Sequence, residues 1–344
     1  MKLLLTFSKM KGPTYLIVIT LIFLSINTYS QSHKKVKFTP THYYSFFSGA
    51  TSPVLSIYPG DTIITSSVDC EGFDRNLKLC TSGKSVNPLT GPFYISGAEE
   101  GDIVKITFTD IRFSRNTAFS LPYFHPRSMN DSIAQLANND SLPIIWDLNF
   151  KKNTASLHKK TEHLNNFEVA IHPFFGCVGL AAKGNEMLST ADSGPSGGNM
   201  DFKRITKNAS VYLPVYHKGG LLYIGDGHAA QGDGEINLCA LETSLDYDFV
   251  VQLIKKPVKP IEYPRVEDDT YIMTVGMDAS FDNCIKIVNK GMLEWLQELY
   301  HLSVEEATKV MGSSMEYTIT EIVDPKVEVV AMIKKKTLSK IIKK

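Results

Sequence analysis

Gly101-Asp102-Ile103-Val104-Lys105-Ile106-Thr107-Phe108-Thr109 decides the fold class. A glycine-aspartate turn launches a run that alternates apolar and polar residues and is rich in β-branched side chains, the pattern of a half-buried strand. The device recurs at Pro59-Gly60-Asp61, ahead of Thr62-Ile63-Ile64-Thr65-Ser66-Ser67-Val68. By the same criteria, strands are predicted at 93–96, 209–215, 221–224, 236–241, 247–254 and 271–275. A last pair at 317–323 and 327–332 flanks the turn Asp324-Pro325. Residues 283–300 behave differently: Ile285, Val288, Met292, Trp295, Leu296 and Leu299 fall largely on one helical stripe. Ser303-Val304-Glu305-Glu306 is a capping box that starts a second helix. Residues 116–166 are polar, aperiodic and interrupted by prolines, and read as an irregular excursion. The predicted fold is therefore β-rich α+β, with mixed or antiparallel strands in a sandwich or barrel-like core and a C-terminal helical hairpin.

The chain begins with Lys2, Lys9 and Lys11, an apolar run at 16–24, and small residues at Thr28 and Ser30. That order is the pattern of a secretory signal peptide spanning residues 1–30, and it predicts an exported, periplasmic or secreted protein. The apolar run falls short of the roughly 20 residues that cross a bilayer, so a membrane anchor is the weaker reading and no stable membrane partner is expected. Residues 31–344 are then expected to form a single domain. Lys and Arg number 36 against 36 Asp and Glu, a balance that argues against a nucleic-acid partner, which would demand a basic field. Five cysteines are too few for a disulfide scaffold. In an exported chain Cys70 and Cys80 are near enough in sequence to pair, while Cys177, Cys239 and Cys284 read as buried thiols.

Chemistry concentrates in Gly225-Asp226-Gly227-His228-Ala229-Ala230-Gln231-Gly232-Asp233-Gly234-Glu235. Eleven residues hold one imidazole, three carboxylates and one carboxamide among four glycines. Crowded carboxylates repel one another unless a cation or shared proton compensates, which makes the segment costly as a mere turn. An EF-hand is excluded, because the carboxylate and glycine spacing does not match. No G-x-S-x-G elbow is present for a serine hydrolase. A cysteine nucleophile at Cys177 competes, but His172-Pro173-Phe174-Phe175-Gly176 is apolar enough to suggest an inert thiol.

Several segments, in order, resemble the acetamidase/formamidase family of amide hydrolases. They are Gly60-Asp61-Thr62 with Asp69, Asn87-Pro88-Leu89-Thr90-Gly91-Pro92, Gly97-Ala98-Glu99-Glu100-Gly101-Asp102, and His172 to Gly176. Gly197-Gly198-Asn199-Met200-Asp201, the Gly225 to Glu235 run and Val323-Asp324-Pro325 complete the set. The resemblance implies hydrolysis of a small carboxamide to carboxylate and ammonia. It also implies a β-rich fold, a homo-oligomer and a divalent metal.

The residues suit that chemistry on their own terms. Amide hydrolysis needs an activated water, a stabiliser for the oxyanion and an acid for the departing amine. In extended backbone Asp226 and His228 share one face, as do Asp233 and Glu235. Asp226 and His228 form the expected metal platform, with Asp69 and His172 as further candidate ligands. A mixed histidine and carboxylate set with an open position suits zinc, which lowers the pKa of a bound water to about 7. Glu235 is the expected general acid/base, Asp233 its partner or a ligand, and Asn199 a hydrogen-bonding partner for the carbonyl or amide of a linear or small cyclic substrate. The alternative from another class is a non-catalytic periplasmic or surface binding protein on the same scaffold.

Overall fold

The strand launched by Gly101-Asp102 runs further than its alternation predicts, Ile103–Phe113, in the computed structural model, which describes residues 33–82, 86–137 and 142–342. Asp102 pins its start, accepting hydrogen bonds from Glu99 N at 2.8 Å and Lys256 N at 3.0 Å and pairing with Lys255 at 2.6 Å. Burial pushes the Asp102 carboxyl up, but these contacts overcome it and hold the group below its usual value.

Ile103–Phe113 lies inside a nine-stranded sheet that runs from the edge strand Lys35–Lys37 to the edge strand Glu316–Glu321. A six-stranded sheet opposes it, in the order Ser193–Gly194, Gly197–Asn199, Phe174–Leu180, Leu222–His228, Leu89–Ile95 and Leu55–Ile57. Both are mixed: Lys35–Lys37 runs parallel to Thr62–Ser66, and Leu55–Ile57 parallel to Leu89–Ile95, among otherwise antiparallel pairs. Val104, Ile106, Phe108, Phe249 and Val251 from one sheet pack with Phe93, Phe175, Val178, Leu222 and Ile224 from the other in one core. The fold is the expected β-rich α+β sandwich.

The C-terminal helical hairpin is Phe281–Tyr300 and Val304–Ser314. Its capping box is reciprocal, with Glu306 N donating to Ser303 Oγ at 3.2 Å and Ser303 N to Glu306 Oε2 at 2.8 Å. Met292, Trp295 and Leu296 bury against Ile272 and Ile333 of the large sheet, and Cys284 and Val288 pack with Val327 and Val329.

Three segments depart from the sequence reading. Residues expected to form an irregular excursion carry strands Thr117–Ser120, Ile144–Asn149 and Thr154–Leu157, which with Glu168–Ala170 make a four-stranded sheet. These strands are short, and their alternation is diluted by the helix Asp131–Ala137 and polar loops. Residues 236–241 form no strand: Ile236 and Leu238 are exposed, and Leu238 has φ 64°, outside the extended range. The strand expected at 221–224 runs on to His228, so the first part of the glycine segment is strand. Residues His33–Lys344 form one compact unit, while the expected signal peptide lies outside the described residues. Among the described residues no helix is long and apolar enough to cross a membrane.

Candidate active site

Leu222–His228 sits inside the six-stranded sheet, hydrogen-bonded to Phe174–Leu180 on one side and Leu89–Ile95 on the other. Asp226 and His228 meet, as expected, although Asp226 itself has φ 60° and is not regular strand. Asp201 joins them from the turn after Gly197–Asn199, and the three offer ligand atoms within 4.8 Å of one another. Gly176 makes room for this meeting. A Cβ there would collide with Asp226 Oδ2, Asp201 Oδ1 and His228 Cε1.

Around this trio lie Glu235, Glu242, Glu321 and Asp324, which complete two further ligand groups with His228 and with Asp201. His228 Nε2 lies 2.8 Å from Glu242 Oε1, 3.6 Å from Glu235 and 3.9 Å from both Asp201 and Asp226. The imidazole stacks on Phe174, with ring centroids 4.8 Å apart. Asp201, Asp226 and Glu235 all have positive φ, 42°, 60° and 44°, a conformation that costs non-glycine residues energy and gathers at functional sites.

The charge imbalance is severe. Burial, and then the neighbouring carboxylates, push Asp201 and Glu235 well above the usual carboxylate range. Burial carries Asp226 up to about 7 against the pull of His228, and burial with Glu321 carries Asp324 up to about 8. Burial alone would lower His228, but Glu242 and Asp226 raise it to about 9. Asp201 Oδ1 and His228 Nδ1 are buried without a hydrogen-bond partner among the described residues. An anionic, under-satisfied pocket of this donor set fits a divalent cation held by Asp201, Asp226 and His228.

The same shifts fix a sign for stability. Groups whose folded pKa is raised stabilise fully below their unfolded values and lose that contribution as pH rises through the folded values. The melting temperature of metal-free protein is therefore expected to fall between pH 5 and 9, through about 7 for Asp226, about 8 for Asp324 and about 9 for His228. A divalent cation should lift it most at the alkaline end, where protons no longer compete for the ligands. Thermal melts across that interval check this, and a melting temperature that climbs with pH in metal-free protein would contradict it.

The remaining predicted site residues go elsewhere. Asp69 is buried but committed: Oδ2 pairs with Arg115 at 2.7 Å, and Oδ1 accepts from Glu71 N and Phe73 N. It anchors the loop carrying Cys70 and joins none of the ligand groups above. His172 is exposed, with Nδ1 3.0 Å from Thr206 Oγ1. Asp233 is also exposed, paired with Lys203 at 2.5 Å and accepting from Thr318 Oγ1. Asp233 and Glu235 do not share a face, because the backbone turns through Gly234 at φ 84° and Glu235 at φ 44° instead of staying extended. Asn199 belongs to the cluster but is saturated within it. Its Nδ2 donates to Asp201 Oδ2 at 2.7 Å and Asp324 Oδ2 at 2.5 Å, and its Oδ1 accepts from Asn87 Nδ2 and Cys177 Sγ.

Cys177 is an inert thiol by its surroundings. Burial and the adjacent Asp226 push it well above the usual thiol value, and its partners are Asn199 Oδ1, Thr190 O and Asp226, not His172. Cys70 and Cys80 are both free: Cys80 Sγ donates to Lys78 O, whereas Cys70 lies by Cys239. Asp226, His228, Glu235 and Asp324 line a cavity of about 370 Å³ whose apolar wall includes Val86, Leu121, Tyr123 and Leu238. Leu121 and Tyr123 come from the 116–166 stretch.

Asp201 and Asp324 stand in segments the sequence singled out, but neither was assigned a role there. Glu242 and Glu321 were missed. Glu321 follows a register shift between Ile319 and Glu321, and such a bulge re-aims a side chain without a signal in the alternation.

The acetamidase/formamidase family profile matches residues 184–292, the segment holding Asn199, Asp201, Asp226, His228, Glu235 and Glu242. A formamidase of Methylophilus methylotrophus is 48% identical over 98 residues, covering 26% of this chain and 23% of that protein. An acetamidase of Mycolicibacterium smegmatis is 39% identical over 88 residues, covering 23% and 22%. The matched segment thus spans about a quarter of the length of these curated relatives. The fold likeness is broader. The crystal structure of a predicted acetamidase/formamidase from Thermoanaerobacter tengcongensis superposes with a TM-score of 0.75 at 25% identity, covering 90% of this chain and 99% of that one. The local match centres on the segment that carries the buried carboxylates, and the fold is shared along nearly the whole length, so this chain is similar to acetamidases and formamidases in both respects.

Proposed function

We propose that this protein hydrolyses a small carboxamide, linear or cyclic, to carboxylate and ammonia, using a divalent cation held by Asp201, Asp226 and His228. The observation that carries the proposal is the buried meeting of these three groups, with Asp226 and His228 lining the same cavity as Glu235 and Asp201 set just behind them. Zinc is the cation the sequence reading favours. When bound, the cation supplies Lewis-acid polarisation and an acidified water.

The chain's own residues supply the rest. Burial and Glu321 raise Glu235 well above the carboxylate range, which favours its protonated form and suits it to give a proton to the departing amine. Ala240 N, which donates to Glu235 Oε1 at 2.8 Å, fixes where that carboxyl points. Asn199 orients Asp201 and Asp324 through its two N–H groups, a positioning role in place of the substrate contact expected from sequence. Leu121 and Tyr123, with the more exposed Val86 at the rim, offer an apolar surface for the acyl group. The match to the family profile over residues 184–292 and the local likeness to a formamidase and an acetamidase support the reading. A homo-oligomer belongs to the same proposal, and light scattering on the purified chain tests it.

The direct test is ammonia release by purified, cation-supplemented protein from a panel running from formamide and acetamide to longer and cyclic amides. Release that saturates with substrate and scales with protein is expected for at least one amide. Cation binding with no ammonia from any amide would return the chain to the class of binding proteins.

A further inference from the structure

We propose that Cys70, Cys239 and Glu242 form a second cation site on the wall of the same cavity, suited to a soft divalent ion such as zinc. The two thiol sulfurs and a Glu242 carboxylate oxygen lie within 4.8 Å of one another. A tetrahedral zinc with sulfur at about 2.3 Å places its ligand atoms roughly 3.8 Å apart, so small side-chain rotations close the set. Each ligand is held from outside the site. Cys70 follows Asp69, which the Arg115 ion pair fixes, and Cys70 O accepts from Asn87 N at 3.0 Å. Cys239 O accepts from Asn237 Nδ2 at 2.9 Å, and the next residue's N–H is bound by Glu235.

A separate observation points the same way. Glu242 is 2% exposed; its Oε1 is engaged by His228, while Oε2 is buried with no hydrogen-bond partner among the described residues. A buried carboxylate oxygen left without a donor is costly, and a cation beside it removes that cost. The Asp201, Asp226 and His228 group contains no sulfur, whereas two thiolates select zinc-like ions over magnesium or calcium. Three protein ligands leave a fourth position open. All three residues line the cavity, so that position is accessible to a small molecule entering it. The site stands on its own donor geometry and does not depend on amide hydrolysis.

Cobalt reports the difference, because a thiolate-bound cobalt ion gives an intense near-ultraviolet charge-transfer band that carboxylate and imidazole ligands do not. The full-length protein, reduced and stripped of metal, is titrated with Co²⁺ without oxygen. The expected result is a band that saturates by two equivalents of Co²⁺, one of them taken by the Asp201, Asp226 and His228 group. It should vanish in Cys70→Ser/Cys239→Ser and weaken strongly in Cys239→Ser alone, with bound zinc falling by one equivalent in the double variant. Asp226→Asn should keep the band while any amide hydrolysis then needs a higher cation concentration, so failure of the hydrolytic reading and failure of this site are separable. Circular dichroism confirms that each variant is folded, and the single variant serves if the double one is not. The proposal is overturned by no thiolate band in reduced wild-type protein at saturating Co²⁺. A band of full strength in folded Cys239→Ser overturns it as well.

Discussion

Glu235→Gln is expected to lower ammonia release by about 10²–10⁴-fold, the usual worth of a positioned general acid–base. The substitution is nearly isosteric and keeps an acceptor oxygen for Ala240 N, so the turn at 235–240 should survive. What it removes is the titratable carboxyl, whose protonated form burial and Glu321 favour. The loss should appear in kcat, with cation stoichiometry unchanged, since Glu235 is not in the ligand trio. Wild-type kcat in a folded Glu235→Gln protein would remove this residue from the chemistry.

The largest expected effect on stability lies just outside the cavity. Arg115 and Asp69 form an ion pair with the two side chains 5% and 1% exposed. The guanidinium also reaches Thr117 O and Asp74 O. Arg115→Ala leaves Asp69 buried without its counter-charge, and breaking one side of such a pair costs about 3–5 kcal/mol. Denaturant unfolding measures this directly. Replacing both partners by apolar residues of similar size should recover part of the loss, because the desolvation penalty disappears with the charges. A cost below about 1 kcal/mol for Arg115→Ala would match an exposed pair and contradict the buried arrangement.

This pair also shows where sequence reading reaches its limit. Asp69 was a reasonable ligand candidate by residue type, but nothing in the spacing of Asp69 and Arg115 announces that they meet across the fold. The strands after Gly60-Asp61 and Gly101-Asp102, and the helix capped by Ser303 and Glu306, were legible because each is set by local turn, alternation or cap chemistry. Asp226 and His228 were legible as ligand-type residues two apart in a strand-forming run, and they do meet, although Asp226 at φ 60° is not itself regular strand. That rule misplaced Asp233, because Gly234 and Glu235 leave the extended region. It also gave no warning of Glu321, which follows a register shift. Glu242 was hidden differently: one glutamate in an apolar run looks ordinary until His228 is found 2.8 Å away. The 116–166 stretch was misread because its strands are short and separated by a helix and polar loops, yet it supplies Leu121 and Tyr123 to the cavity wall.

The central claim is that buried carboxylates and one histidine gather a cation that drives amide hydrolysis. The most direct measurement follows bound metal and ammonia release together as metal-stripped protein is titrated with zinc or manganese. The account predicts no release from verified metal-free protein, recovery in proportion to the cation bound, and a shift to higher cation concentration in Asp226→Asn. Full-rate hydrolysis by protein shown to contain no metal would contradict it.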